Sequence, residues 1–180
     1  MAIRADITVD DLKSYLAQVA DFQSSSQLAG RNYERLVLAH GRAFKGARLP
    51  DGMERGTKHE CFNNALLLAV GNHDLYYCEG FAYGVVPTHH AWCVDRNGRV
   101  IDPTWDEPER AVYAGLVMRT KAAMDFAIKR GYYGMLYTRE FRPYVTGERS
   151  LKRFLVSNPP GLGMSDSLSI WSAGDGKTSA

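Results

Sequence analysis

The chain of 180 residues lacks several features that would point to particular classes of protein. Its formal net charge of +2 is too small to indicate a nucleic-acid partner, and no aromatic and basic groove motif accompanies its basic clusters. The N-terminal sequence has no apolar signal core, and no apolar run approaches the length of a membrane span. We therefore expect a cytoplasmic protein with no nucleic-acid partner and no membrane association.

Cysteines are few, and their pattern is not that of a disulfide framework. Cys61, Cys78 and Cys93 are odd in number and lack the spacing of a metal site. The sequence therefore predicts reduced thiols and no bound cofactor. Cys78 and Cys93 fall within predicted strands, where we expect them to pack as small apolar side chains.

Hydrophobic periodicity predicts helices in the first part of the chain and a sheet after them. Helices are expected from Thr8 onward, over 27–40 and over 61–70, with residues 42–59 as loop. Helices first and a meandering sheet afterwards indicate one α+β domain over 1–155, followed by a flexible tail over 156–180. Strands are expected at 75–86, 90–95, 99–104, 111–118 and 132–137, and a further helix at 120–129.

The segment that begins at Cys61 is the most informative part of the sequence. It is apolar on nearly every face, so we expect a buried helix that packs on the sheet and presents its N-terminus at a cleft. A helix N-terminus favours the thiolate form of a cysteine. His90 and Asp102 follow on predicted strands, where an imidazole can take the thiol proton and a carboxylate can orient the imidazole. Cys61, His90 and Asp102 are therefore the candidate catalytic residues.

The register of the predicted hairpin decides whether His90 and Asp102 can meet. A loop of two residues would place them on opposite faces of the sheet, whereas a loop of three residues would make them diagonal neighbours on one face. The three-residue loop prefers a left-handed third residue, which Gly98 can supply. In that register His89 points to the other face, so His90 is the expected partner of Asp102.

Other polar residues near these positions are candidates for supporting roles. The backbone N–H of Cys61 is the first candidate for an oxyanion donor, with His59, Asn63 and Asn64 as candidate helpers. Glu79 is expected to be an exposed strand residue or part of a local ion pair, with a contact to substrate or to a backbone amide as the alternative. A metal site built from the candidate thiol, imidazole and carboxylate is not favoured, because no metal-ligand spacing supports it.

Four short motifs between residues 58 and 105 resemble a known family. They are Glu-Cys-Phe-Asn-Asn-Ala from residue 60, Cys-Glu-Gly-Phe-Ala from 78, His-Ala-Trp from 90 and Ile-Asp-Pro-Thr-Trp from 101. Together they resemble the transglutaminase-like branch of the papain-like cysteine protease superfamily. The resemblance implies a central helix that carries Cys61 and packs on an antiparallel sheet, with His90 on one strand and Asp102 on the next.

The leading functional hypothesis is a cysteine enzyme that acts at an amide bond through a thioester intermediate. Water as the second substrate would make it a peptidase or amidase, and an amine would make it an acyl transferase of the transglutaminase type. The expected substrate is a peptide, a protein or a small amide. The alternative is a catalytically silent binding or inhibitory module on the same scaffold, which would have an unreactive Cys61.

Overall fold

The computed structural model describes residues 7–24 and 32–164, which form an antiparallel sheet covered on one face by helices. The α+β class expected from the sequence is confirmed. The helices are α1 (Val9–Ser24), α2 (Tyr33–His40), α3 (Cys61–Gly71), α4 (Thr120–Arg130) and α5 (Arg142–Val145). The strands are β1 (Arg42–Lys45), β2 (Leu75–Tyr83), β3 (Pro87–Asp95), β4 (Val100–Ile101), β5 (Val112–Met118) and β6 (Leu162–Gly163).

The sheet has the strand order β4-β3-β2-β5-β1-β6, and every neighbouring pair is antiparallel. Because strand side chains alternate, each face has its own core. On one face, which we call the helical face, Ala91 and Leu116 belong to the cluster that contains the buried residues of α1 to α4. On the other, the loop face, Trp92 and Tyr113 form a smaller cluster against which Trp105 packs. These two faces separate the features discussed below.

Several segments differ from the predicted secondary structure. The strand predicted over 99–104 is reduced to β4, so Asp102 lies just after a strand and not on it. Residues 42–45, expected within a loop, form β1, which pairs with β5 on one side and β6 on the other. The strand is short and sits in a glycine-rich context, so its alternation is too brief to stand out. Residues 132–137, expected as a strand, form a loop, because the backbone N–H groups of Met135 and Leu136 donate to the Glu79 carboxylate instead of to a neighbouring strand.

The helices largely follow the sequence pattern. Reciprocal hydrogen bonds between Thr8 and Asp11 cap the start of α1, as the threonine and the acidic first turn indicated. The helix α3 begins at Cys61 as predicted, but its expected burial on all sides is wrong, because Leu67 and Val70 are exposed. The helix α2 begins at Tyr33, and the predicted helical residues 27–31 lie outside the described residues.

The end of the described chain packs against the sheet. The flexible tail was expected from residue 156, but Leu162 and Gly163 pair with β1, and Met164 is buried in the helical-face core. The packed domain therefore extends to Met164 rather than ending at residue 155, and the rest of the expected tail, 165–180, lies outside the described residues. Within 7–24 and 32–164, no helix has the length and apolar character needed to cross a membrane.

Candidate active site

The hairpin between β3 and β4 brings His90 and Asp102 together. The strands pair Cys93 with Ile101, and a three-residue loop ends at Gly98, which has a φ of 80°. This is the register that the left-handed third position favours, and it puts His90 and Asp102 on the loop face. The Nε2 atom of His90 lies 2.8 Å from Oδ2 of Asp102.

Asp102 is fully buried, and hydrogen-bond donors surround its carboxylate. Its Oδ1 accepts the backbone N–H groups of Thr104 at 2.8 Å and Trp105 at 3.3 Å. Its Oδ2 accepts the hydroxyl of Tyr113 at 3.0 Å in addition to the contact with His90. Burial raises the pKa of Asp102, but the hydrogen bonds from His90, Thr104 and Tyr113 outweigh it, so the net shift is downward. The carboxylate is therefore held ionised.

His90 is buried between this carboxylate and the candidate nucleophile. The ring of Trp105 lies over it, with ring centroids 4.6 Å apart. Burial lowers the pKa of His90, but hydrogen bonding to Asp102 and to Cys61 raises it to about 9. The imidazole is therefore protonated at neutral pH. Because Nε2 is engaged by Asp102, Nδ1 is the ring nitrogen available to the thiol.

Cys61 reaches His90 around the edge of the sheet. The helix α3 packs on the helical face, where Cys93 Sγ lies 3.1 Å from the carbonyl oxygen of Ala65, whereas His90 lies on the loop face. The strand β4 pairs with β3 only at Cys93 and Val94, so it ends before it reaches His90. Asn64 in the first turn of α3 donates to Thr104, just after β4, and His90 interacts with the Cys61 thiol, so the short β4 leaves the edge beside His90 open to the start of α3.

Hydrogen bonds fix the start of α3 against the segment that follows β4. The Nδ2 atom of Asn64 donates to the carbonyl oxygen of Thr57 at 2.7 Å and to Oγ1 of Thr104 at 3.0 Å. The backbone N–H of Gly56 donates to the carbonyl oxygen of Pro103 at 2.8 Å. Because Asn64 uses its amide group in these bonds, the expectation that it helps in an oxyanion hole is wrong. It positions Cys61 instead.

Backbone N–H groups at the start of α3 have no acceptor within the helix. The first helical hydrogen bond runs from Asn64 to the carbonyl oxygen of Glu60, and the Glu60 side chain makes no capping bond. The N–H groups of residues 61–63 therefore precede the hydrogen-bond ladder and can donate hydrogen bonds to an anion. Two residues before Cys61, His59 has a φ of 66°, a strained value for a residue with a side chain.

A second histidine and carboxylate lie on the helical face. Glu79 is fully buried, so the prediction of an exposed side chain is wrong. The alternative of a contact with backbone amides is confirmed, because the carboxylate accepts the N–H groups of Met135 at 2.9 Å and Leu136 at 2.7 Å, together with the hydroxyl of Tyr77 at 3.1 Å. His89 Nε2 lies 3.2 Å from Glu79 Oε1, within ion-pair distance but without the geometry of a hydrogen bond. The local ion pair suggested for Glu79 is thus to His89, which faces away from Asp102.

The other cysteines and the cavities lie away from these groups. Cys78 and Cys93 are fully buried, and burial raises the pKa of both thiols, as expected of packing residues. Two cavities, of about 750 and 530 Å³, contain none of the three candidate catalytic residues; the larger lies beside Val70 and Arg119. In the described part of the chain, no group of three or more metal-binding side chains could hold an ion.

No family model, curated protein or solved structure matches the chain in comparisons with known proteins. The chemistry of the site is therefore inferred from its own residues and geometry.

Proposed function

We propose that the protein is a cysteine enzyme that cleaves or transfers an acyl group at an amide bond, built on a papain-like core of the transglutaminase-like type. One observation carries the proposal. His90 Nε2 lies 2.8 Å from the Asp102 carboxylate, while the same ring interacts with the Cys61 thiol at the start of α3. An imidazolium beside a thiol stabilises its thiolate, and the thiolate is the nucleophilic form of cysteine.

In the first half of the proposed reaction, Cys61 Sγ attacks the carbonyl carbon of the amide, and the carbonyl electrons move to its oxygen. The N–H groups at the start of α3 are placed to stabilise the negative oxygen that forms. His90 then gives its proton to the leaving nitrogen as the C–N bond breaks, which releases an amine and leaves a thioester on Cys61. Asp102 holds the imidazole in orientation throughout.

In the second half, a nucleophile attacks the thioester. His90, now neutral, takes a proton from water or from an amine, and the C–S bond breaks to return the thiolate. Water gives a carboxylic acid, which is hydrolysis, and an amine gives a new amide, which is acyl transfer. Both outcomes use the same groups on the protein.

The test is to trap the acyl-enzyme with 4-nitrophenyl acetate, an activated ester that acylates thiolates without a specific substrate-binding site. We expect a burst of 4-nitrophenolate equal to the enzyme concentration and an acetyl group on Cys61 by peptide mass mapping. Adding a primary amine would show, by the ratio of acetyl amide to acetate, how the intermediate partitions. Cys61→Ala is the control for reaction at other nucleophiles.

The proposal fails if Cys61 is not acetylated, or if Asp102→Asn and wild type are acetylated at the same rate. An unreactive Cys61 in a folded protein would favour the alternative, a binding or inhibitory module without catalysis.

A further inference from the structure

A strip of three partly exposed aromatic rings begins one residue from the proposed nucleophile. Phe62 follows Cys61 in α3, and its ring centroid lies 4.8 Å from that of His89. The ring of His89 lies in turn 4.5 Å from that of Tyr137. The side chain of His89 is 24% exposed and Tyr137 is 46% exposed, so the rings can be reached from solvent. We call Phe62, His89 and Tyr137 the aromatic strip.

The buried carboxylate of Glu79 fixes the loop that supplies one end of this strip. The N–H groups that it accepts, from Met135 and Leu136, immediately precede Tyr137. Hydrogen bonds to a buried charged group are among the stronger ones in proteins. These bonds therefore attach the loop to the strand β2, and they fix the position of Tyr137 in the absence of a ligand.

The backbone of the same loop also packs on Phe62. Gly134 has a φ of 87°, and a Cβ at this position would lie 3.2 Å from the Phe62 ring. Any other residue would strain the backbone and crowd the ring. Glycine thus lets the loop approach the start of α3 closely, which joins Tyr137 and Phe62 into one surface with His89 between them.

Tyr137 is held in place by its neighbours but is only partly covered by them. One side of its ring contacts Tyr33, with centroids 4.2 Å apart, and its hydroxyl donates to Glu34 at 2.8 Å. These contacts hold the side chain in place. Nearly half of the residue nevertheless stays in contact with water, which leaves an immobilised aromatic surface next to the reactive end of α3. Such a surface gains most by covering another apolar group.

We propose that the aromatic strip is the subsite that receives an aromatic or large aliphatic side chain of the acyl donor. This inference rests on the proposed function, because the aromatic strip can be a substrate subsite only if the neighbouring Cys61 is the nucleophile. It identifies the substrate class as a peptide or protein with a large apolar residue close to the scissile amide. A small amide without such a side chain would leave the strip uncovered.

The experiment compares electrophiles that share one reactive group and differ in one side chain. Acetyl-dipeptide chloromethyl ketones alkylate a thiolate by forming a C–S bond and releasing chloride. A set with phenylalanine, leucine, glycine or glutamate at each of the two positions is tested, and modification of Cys61 is followed by mass mapping. We expect the phenylalanine probe to react about tenfold faster than the glycine probe at the position that reaches the strip.

Variants of the loop assign this preference to Tyr137. Tyr137→Ala should reduce the phenylalanine-to-glycine ratio to about threefold or less, while the rate with iodoacetamide, which has no side chain, stays unchanged. Tyr137→Phe keeps the ring and removes only the hydroxyl bond to Glu34, so it should keep the preference. Tyr133→Ala removes another exposed tyrosine of the same loop and is the matched control.

The two hypotheses fail in different ways. Selective reaction of Cys61 with iodoacetamide, together with equal rates for all peptide probes or an undiminished preference in Tyr137→Ala, would overturn the subsite and leave the enzyme. If Cys61 is unreactive, binding of acetyl-phenylalanyl-glycine amide to Cys61→Ala decides the matter. Saturable changes in the Tyr137 ring resonances would support an apolar-side-chain site, and their absence would overturn it.

Discussion

The strand β3 carries two adjacent histidines, and each lies beside a buried carboxylate on its own face of the sheet. On the loop face, His90 Nε2 is 2.8 Å from Asp102; on the helical face, His89 Nε2 is 3.2 Å from Glu79. Neither carboxylate has exposed surface. Each pair therefore joins an imidazole to a buried carboxylate at a similar distance, and the two pairs differ in the groups around them.

Those surroundings give the two pairs different roles. Around Asp102, the donors come from the segment just after β4 and from Tyr113, and the imidazole that it holds interacts with Cys61 at a helix N-terminus. Around Glu79, the donors are the backbone of a distant loop and the Tyr77 hydroxyl, so the carboxylate acts as an anchor for that loop. A buried histidine–carboxylate pair thus indicates chemistry only where a nucleophile is in reach of the ring.

The largest expected effect comes from neutralising the carboxylate beside His90. Asp102→Asn removes the hydrogen bond and charge that raise the pKa of His90, while the burial that lowers it remains. We expect iodoacetamide to alkylate Cys61 about 100-fold more slowly at about pH 6.5, because the variant lacks the imidazolium that favours the nucleophilic thiolate. The rate is measured by mass mapping.

The matched change on the other face should leave this rate almost unaltered. Glu79→Gln is expected to change Cys61 alkylation by less than about threefold in the folded protein, since Glu79 does not contact His90. If the rate of Cys61 alkylation fell equally in Asp102→Asn and Glu79→Gln, the two histidine–carboxylate pairs would not have different roles.

Glu79→Gln should instead destabilise the fold. An amide in place of the carboxylate turns one acceptor oxygen into a donor that faces N–H and O–H groups in a buried site. We expect the free energy of unfolding to fall by roughly 2–4 kcal/mol in urea titrations. Glu140→Gln, at a partly exposed carboxylate that accepts the Tyr132 hydroxyl, is the control and should lower the free energy of unfolding much less. If both variants lowered the free energy of unfolding by a similar amount, Glu79 would not anchor the loop.

The pH dependence of stability should also reflect the His90 pair. Its pKa is about 9 in the folded protein and about 6.5 in an unfolded chain, so the folded state binds more protons between these values. The stabilisation from this group is complete below about pH 6.5 and is lost as the pH rises through 9. Urea titrations should therefore show that the advantage of wild type over His90→Asn shrinks across this window; an advantage that is constant or grows would contradict the raised pKa.

The smallest expected effect concerns Tyr113. Tyr113→Phe removes one of the donors to Asp102 without changing the shape of the side chain. The loss should raise the pKa of Asp102 and hold the carboxylate that orients His90 less firmly, and so slow Cys61 alkylation at about pH 6.5 by roughly two- to fivefold. Titration of the Asp102 side-chain carboxyl carbon by NMR measures the shift in its pKa. An unchanged Asp102 pKa would leave Tyr113 with a packing role only.

The sequence predicted those parts of the site that depend on local pattern. The start of α3 at Cys61, and the register that joins His90 to Asp102, follow from an apolar run and from the glycine at the third loop position. The roles of Glu79 and Tyr113 could not be predicted in this way. They depend on the pairing of β2 with β5 and on the docking of a loop more than fifty residues from Glu79, which no local periodicity encodes.

The most direct test of the central claim is the rate of iodoacetamide modification of each cysteine from about pH 5 to about pH 9, in wild type, His90→Ala and His89→Ala. If His90 activates the thiol, Cys61 is modified rapidly and selectively at the acidic end of this range, and this reaction is lost in His90→Ala and kept in His89→Ala. If Cys61 reacts no faster than the buried Cys78 and Cys93, or if the two histidine variants behave alike, the account is contradicted.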